Sequence, residues 1–224
     1  MMVAMGNVKI KNKKTAVYVK IKERIINGAL APGLPINESD FAQNLDVSKT
    51  PVREALMQLE RDGLVENIPG RGSAVAHITF QDIRDIFETR EIIECGAAKR
   101  AALMRDEEEV RAKRKELEQY SKKWTEAIEL NWGPVEDIHL FIIRSIGNQK
   151  LIDNYLGILD HIKRMRKHFG GRFTRHRFDE LVFEHLEILD AIIEGNGERA
   201  ELAVQNHLRS AAAYLLGLTS PKKG

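Results

Sequence analysis

Apolar residues follow two different spacings along the 224-residue chain. Helical spacing prevails at first, and two short runs, LVENI and SAVAHI, then carry β-type residues on either side of a Pro-Gly-Arg-Gly turn. From Thr79 onward only helical spacing remains, and helices are expected at roughly 80–104, 107–129, 134–147, 149–169, 174–194 and 197–217. The pattern predicts a mainly α fold, in which a small domain with a β-hairpin precedes an all-α helical bundle.

The segment DVSKTPVREALMQLERDG has the signals of a complete helix. Ser48 and Thr50 can cap its start, and Pro51 suits the first turn because its missing N–H has no intrahelical partner there. Gly63 suits the end of the helix. A short helix expected at residues 38–45 precedes it across a tight turn, which makes a helix-turn-helix. With the following hairpin as its wing, the first domain is predicted to be a winged helix-turn-helix.

A helix that presents cations and hydroxyls from its N-terminal end suits the major groove of DNA. Arg53 is best placed for a base edge, because a guanidinium can make a paired contact with guanine. Ser48, Lys49 and Thr50 are expected to grip phosphates, and Arg71 at the hairpin tip to enter the adjacent minor groove. The alternative for each is an ordinary exposed side chain. These five residues are the predicted DNA contacts.

Charge and composition support an intracellular nucleic-acid-binding protein. Residues 1–78 hold 11 Lys and Arg against 8 Asp and Glu, a charge of +3, whereas the rest holds 24 against 25, a charge of −1. The single cysteine, Cys95, excludes an intramolecular disulfide. No apolar run is long enough for a bilayer and no signal peptide is evident, so a cytoplasmic protein without a membrane partner is expected.

Several polar residues of the second domain fall on apolar helix faces. Arg90 and Glu94 share a face with Ile83 and Phe87, so they are expected to pair with each other or to line a cavity. The cationic run HIKRMRKHFGGRFTRHR is instead expected to be a solvated face, although one of its arginines could reach an anionic ligand.

Three histidines, His139, His185 and His207, also lie on apolar faces of three different predicted helices. A lone histidine in such a place is more often a hydrogen-bonded core residue than a metal ligand. Three converging imidazoles, however, are a known way to hold a divalent metal with open positions for water or a ligand. The sequence leaves these two readings about equal.

The motifs NG.L.PG, VSKTPVREAL, L..DGLV and G.G..V, in this order, resemble the winged helix-turn-helix of the GntR family of bacterial transcription regulators. ETREIIECGAAKRAA, IHLFIIRSIGNQKL and EHLEILDAIIEGNGERAELAVQNHL are similar to the FCD branch of that family. The resemblance implies a DNA-binding domain at 15–78 and a helical ligand-binding and dimerisation domain at 79–219. Residues 1–14 have four closely spaced lysines and no apolar periodicity, which predicts a flexible basic arm that either touches phosphates or is a solvated tail.

Many members of that branch hold a metal through an aspartate and three histidines. His139, His185 and His207 match the histidines, whereas Val135 stands at the aspartate position. Glu136 could substitute, and Asp137 is less well placed. The implied cofactor is a divalent metal ion of the zinc or nickel type, and Arg90 matches a position that commonly faces the effector.

The resemblance implies a homodimer on a palindromic operator, whose wings change spacing when a small organic acid binds the helical domain. A metal-dependent helical enzyme fused to a DNA-binding domain is the first alternative. It lacks support, because the chain has one Glu-x-x-His and no His-Glu-x-x-His. The second alternative is a regulator or DNA-architectural protein without metal, in which the inward polar residues are core pairs.

Overall fold

The computed structural model describes residues 13–104, 106–122, 133–169 and 174–217, with only the backbone described for 133–137. They fall into two compact units, of which the first ends at Ile78 and the second begins at Thr79. The first unit contains three helices and a hairpin: α1 (Lys13–Ile26), α2 (Glu38–Asn44), α3 (Lys49–Arg61), β1 (Val65–Ile68) and β2 (Gly72–Val75). Of the predicted basic arm, residues 1–12 lie outside the described residues, and Lys13 and Lys14 begin α1.

The turn between α2 and α3 depends on local backbone chemistry. Asp46 adopts a left-handed conformation with φ of 49°, which aspartate tolerates better than most residues. Ser48 is the N-cap of α3 by position, but its side chain makes no capping hydrogen bond. Gly63, with φ of 69°, follows the helix end. The buried face of α3 packs on α1 in a core that includes Val17, Ile21, Val52, Leu56 and Leu59.

The hairpin is antiparallel, with Val65 opposite Val75 and Ile68 opposite Gly72. Arg71 occupies the connecting turn between two glycines whose φ angles are 75° and 80°. The segment 33–36 pairs with the outer side of β2, because Gly33 N donates to Val75 O and Ile36 N donates to Ser73 O, each over 2.8 Å. The sequence did not predict this pairing, since the Pro32-Gly33 turn and the residues after it have no strand signal.

The second unit contains six described helices, namely α4 (Phe80–Met104), α5 (Glu107–Tyr120), α6 (Gly133–Ser145), α7 (Gln149–Phe169), α8 (Arg175–Ile193) and α9 (Gly197–Leu215). Helix α4 contacts α6, α7, α8 and α9, so its inward face lies at the centre of the bundle. The predicted mainly α fold with a β-hairpin after the helix-turn-helix is thereby confirmed. The helix expected at 107–129 already ends at Tyr120, and Ser121 caps it by donating its hydroxyl to Glu118 O. Residues 123–129 lie outside the described residues.

Within the described ranges, no helix is both long enough and apolar enough to cross a membrane.

Candidate functional site

Helix α4 carries a charged pair into the interior of the second unit. Arg90 is 1% exposed and Glu94 2%. Arg90 Nε donates a hydrogen bond to Glu94 Oε1 over 2.7 Å, as the four-residue spacing on one helix face allows. Tyr155 of α7 donates its hydroxyl to the same oxygen over 2.5 Å. Of the two arrangements left open by the sequence, pairing is the one observed.

Three buried histidines meet beside this pair. His139 comes from α6, His185 from α8 and His207 from α9, and none is more than 2% exposed. Their ring centroids are 4.5 to 5.0 Å apart. One ring nitrogen of each residue lies within 4.8 Å of the other two. Residues from three helices, up to 68 positions apart in the sequence (207 − 139), thus converge on one point.

Two of the histidines are hydrogen-bonded to carboxylates through the ring nitrogen Nδ1. His139 Nδ1 lies 2.7 Å from Glu94 Oε2, and His207 Nδ1 lies 2.7 Å from Glu184 Oε2. An ionised carboxylate only accepts hydrogen bonds, so each Nδ1 carries the proton and each Nε2 presents its lone pair.

Burial controls the protonation of this cluster. It lowers the pKa of His139 to about 3, against the attraction of the Glu94 carboxylate. Burial also lowers the pKa of His185 and of His207, in spite of the hydrogen bond from His207 to Glu184. Burial alone would raise the pKa of Glu184, but hydrogen bonds from His207 and Arg177 outweigh it and lower that pKa to about 2. Neutral imidazoles beside ionised carboxylates are the state that binds a metal ion.

The donor set fits a divalent metal ion by two observations. His185 Nε2 and His207 Nε2 are 3.3 Å apart and within hydrogen-bond distance of each other. The same separation suits a metal, because two nitrogens bound tetrahedrally at about 2.0–2.1 Å would be roughly 3.3–3.4 Å apart. His139 Nε2 is completely buried without a hydrogen-bond partner. Buried polar atoms normally have partners, so this nitrogen lacks one that a metal would supply.

A fourth protein ligand is not defined by the described side chains. Val135 has no donor atom, and the side chains of Glu136 and Asp137 lie outside the described residues although their backbone belongs to α6. Arg90 is joined to the cluster through Glu94, and its Nη2 is buried without a hydrogen-bond partner.

Sequence reasoning missed Tyr155, Glu184 and Arg177. Arg177 belongs to the run expected to be solvated, and that expectation is wrong for it, because the residue is 4% exposed and its Nη1 donates to Glu184 Oε1 over 2.8 Å. The seven-residue spacing from Arg177 to Glu184 on one helix face was an available signal. Tyr155 had no such signal, since Glu94 is 61 residues away.

The predicted DNA contacts all lie in the first unit and are all exposed. Ser48, Lys49, Thr50 and Arg53 cluster at the N-terminal end of α3, whereas Arg71 lies on the hairpin. Arg53 Nε donates to Glu38 Oε2 of α2 over 2.7 Å. This ion pair joins α3 to α2, and sequence reasoning did not anticipate it.

Comparisons with known proteins match both units. Residues 13–75 match the bacterial regulatory proteins of the gntR family, and residues 85–210, more than half of the chain, match the FCD domain. The chain is 29% identical over 206 residues to the HTH-type transcriptional regulator YdhC of Bacillus subtilis, covering 88% of each protein. It is 29% identical over 202 residues to the HTH-type transcriptional repressor RspR of Escherichia coli, covering 86% of this chain and 84% of that protein.

A solved structure has the same fold. The crystal structure of a GntR regulator from Rhodococcus sp. RHA1 matches with a TM-score of 0.74 and 24% identity, covering 93% of this chain and 99% of the other. These relatives are regulators, which confirms the prediction that the chain is not an enzyme. The chain belongs to the GntR family of bacterial regulatory proteins, in the branch that carries an FCD domain, and is a DNA-binding transcriptional regulator.

Proposed function

We propose that this regulator binds a palindromic operator as a homodimer in the cytoplasm, and that a small organic acid bound in the helical unit controls its affinity for the operator. The acid would bind at a zinc- or nickel-type divalent metal held by His139, His185 and His207. The convergence of three buried histidine nitrogens within 4.8 Å carries this proposal. It favours a sensor over a regulator whose histidines serve only as core residues.

The ligand set explains why an acid is the expected effector. Three neutral imidazoles would leave the double charge of a bound metal unneutralised, so such a metal would offer a Lewis-acidic position to an anionic oxygen. The three histidines would hold the metal from three different helices, and their burial would limit the access of water to it.

Arg90 is the proposed second contact for the acid. Its Nε is engaged by Glu94, whereas its Nη2 is buried and has no hydrogen-bond partner. An unpartnered guanidinium N–H beside the metal ligands is a donor for a carboxylate oxygen. Binding of the acid would therefore satisfy both a metal position and a buried donor.

The DNA side of the proposal depends on the first turn of α3. Lys49 and Arg53 bring positive charge to a helix end flanked by the hydroxyls of Ser48 and Thr50, and all four are exposed. We expect Arg53 to contact a base edge and the other three to contact phosphates. Arg71, held out by the glycine turn of the hairpin, would reach the minor groove.

Metal analysis tests the effector site. Purified protein should hold about one metal per chain by mass spectrometry, and His185→Gln should lose it while keeping its helical circular dichroism. The control is His168→Ala, which removes an exposed histidine of the same unit and should leave the metal content unchanged.

A thermal-shift screen of small carboxylic acids, with and without chelator, then tests the effector. A specific acid should raise the melting temperature only in the metal-loaded protein. No metal in the wild type, even after incubation with zinc and nickel, would refute the metal site and favour a regulator without one.

DNA selection tests the operator side. Sites selected from a random library should be palindromic and bind two chains. Arg53→Ala should weaken binding to the selected site by about 1–3 kcal/mol and relax its base preference. Arg61→Ala, an exposed arginine at the other end of α3, is the matched control. Equal loss of affinity in both variants would refute base reading by Arg53.

A further inference from the structure

Two of the three histidines are each hydrogen-bonded to a carboxylate from another helix, and the third is not. Glu94 of α4 contacts His139 of α6, and Glu184 of α8 contacts His207 of α9, each over 2.7 Å at Nδ1. His185 Nδ1 is buried without a hydrogen-bond partner. The carboxylates therefore lie one imidazole ring away from the point where the three histidines meet.

Each carboxylate is fixed in turn by other side chains. Glu94 accepts hydrogen bonds at Oε1 from Arg90 Nε and the Tyr155 hydroxyl, at 2.7 and 2.5 Å. Its second oxygen is thereby left for His139.

Glu184 is held in the same manner. Its Oε1 accepts from Arg177 Nη1 over 2.8 Å and from the Ser210 hydroxyl over 2.9 Å. Its Oε2 accepts from Arg177 Nη2 over 3.2 Å and from His207 Nδ1 over the shorter 2.7 Å. Two unrelated sets of side chains, on different helices, thus achieve the same arrangement. In both, an arginine and a hydroxyl hold the carboxylate, and one of its oxygens accepts from a histidine Nδ1.

We propose that Glu94 and Glu184 are positioning residues of the metal site, an inference that rests on the proposed function. Each accepts the Nδ1 proton of one ligand, which directs the Nε2 lone pair to the common point and makes that nitrogen a stronger donor. They also return negative charge to a site in which Val135 has replaced the expected aspartate. The charge is supplied at one ring's distance, which leaves the coordination positions free for the effector.

Zinc affinity is the first test, because it needs neither DNA nor effector. Competition with a chromophoric chelator should show that Glu184→Gln binds zinc about 10- to 100-fold more weakly than wild type. The matched control is Glu180→Gln, because Glu180 lies on the same helix and also contacts Arg177 but touches none of the three histidines. It should remain within about twofold of wild type.

The second test determines the tautomer of each histidine. Substitution of Glu94 or Glu184 would not change these tautomers if the two carboxylates served only to stabilise the fold. In metal-free protein labelled with ¹⁵N, nitrogen chemical shifts should place the proton of His139 and of His207 on Nδ1. Glu184→Gln should shift His207 toward a mixture of tautomers and leave His139 unchanged. Glu94→Gln should give the reverse result, and it provides a second variant if one of the two fails to fold.

The outcomes separate this inference from the proposed function. Both are supported if wild type binds zinc, Glu184→Gln binds it more weakly while Glu180→Gln does not, and the rings of His139 and His207 are protonated at Nδ1. Equal zinc affinity of wild type and a folded Glu184→Gln, or Nε2-protonated His139 and His207, would overturn the inference while leaving the three-histidine site intact. Failure of wild type to bind zinc or nickel would overturn the proposed metal site and the inference with it.

Discussion

The hydrogen bond from Tyr155 to Glu94 offers a clean perturbation of the buried cluster. Tyr155→Phe removes one hydroxyl and leaves the ring, so it creates no large cavity. Tyr155 is completely buried, and its hydroxyl donates to an ionised carboxylate over 2.5 Å. The Glu94 carboxylate keeps Arg90 and His139 as partners but cannot gain water as a replacement. The loss should therefore exceed that of an ordinary neutral hydrogen bond.

The expected magnitude follows from the charge of the acceptor. A hydrogen bond to a charged group contributes about 1.5–3 kcal/mol, so Tyr155→Phe should lower the free energy of unfolding by about 2 kcal/mol. For a unit of this size, that corresponds to a decrease of roughly 4–8 °C in melting temperature. Tyr18→Phe is the control, because the Tyr18 hydroxyl also donates to a carboxylate, Asp62, over 2.7 Å at a partly exposed position. Water can replace that bond, so the cost there should be about 1 kcal/mol or less.

Differential scanning calorimetry of the full, chelator-treated chain is the appropriate assay. If the two units unfold separately, Tyr155→Phe should shift only the transition of the second unit and Tyr18→Phe only that of the first. Unchanged transitions in Tyr155→Phe would refute a stabilising role of the Tyr155 hydroxyl. The same conclusion would follow if the free-energy cost of Tyr155→Phe, calculated from the calorimetric enthalpy, were no larger than that of Tyr18→Phe.

Three other perturbations address the remaining features. Zinc at 100 times its dissociation constant should stabilise the second unit by about 2.7 kcal/mol, and chelation should reverse this in calorimetry; an unchanged transition would contradict the metal site. Glu38→Gln removes a negative charge and the partner of Arg53, so binding to random DNA should tighten. The ratio of specific to non-specific affinity, measured by fluorescence anisotropy, should fall about fivefold, because Arg53 is no longer oriented toward a base. An unchanged ratio would contradict this role of the ion pair. Gly33→Ala should destabilise the first unit by about 1–2 kcal/mol, since Gly33 has φ of 78° and an added Cβ would lie 2.8 Å from His77 Cε1. The double variant Gly33→Ala with His77→Ala should recover only the steric part of that loss, because the strained φ of residue 33 remains. Complete recovery of the free energy of unfolding, measured by urea denaturation, would contradict a conformational cost.

Local signals were enough to predict the fold and the inward direction of the polar side chains. Helical spacing placed Arg90, Glu94 and the three histidines on buried faces, and all five are buried. The pattern works because the periodicity of a helix fixes which side chains share a face, whatever the tertiary context. The same reasoning failed for the cationic run, because burial of Arg177 depends on Glu184 and not on the average polarity of its neighbours.

Helical periodicity could not predict which residues of different helices contact each other. A helical pattern gives the face of each residue but neither the rotation of one helix against another nor their relative height. Tyr155 could have met any polar group at the same level of the bundle, and its contact with Glu94 emerges only when α4 and α7 pack together. The pairing of residues 33–36 was missed for a related reason, because their partners lie on the hairpin about 40 residues later.

The replacement of the expected aspartate by Val135 can be understood through these pairings. A carboxylate bound directly to the metal would cancel one of its charges and occupy one of its positions. Glu94 and Glu184 contact Nδ1 of two of the proposed ligands, so they would lower the cost of a buried positive charge without occupying a coordination position. A site of this kind should hold its metal less tightly than one with a direct carboxylate, but should attract an anionic effector more strongly. We therefore expect weak metal retention together with strong acid binding, if the proposed site holds a metal.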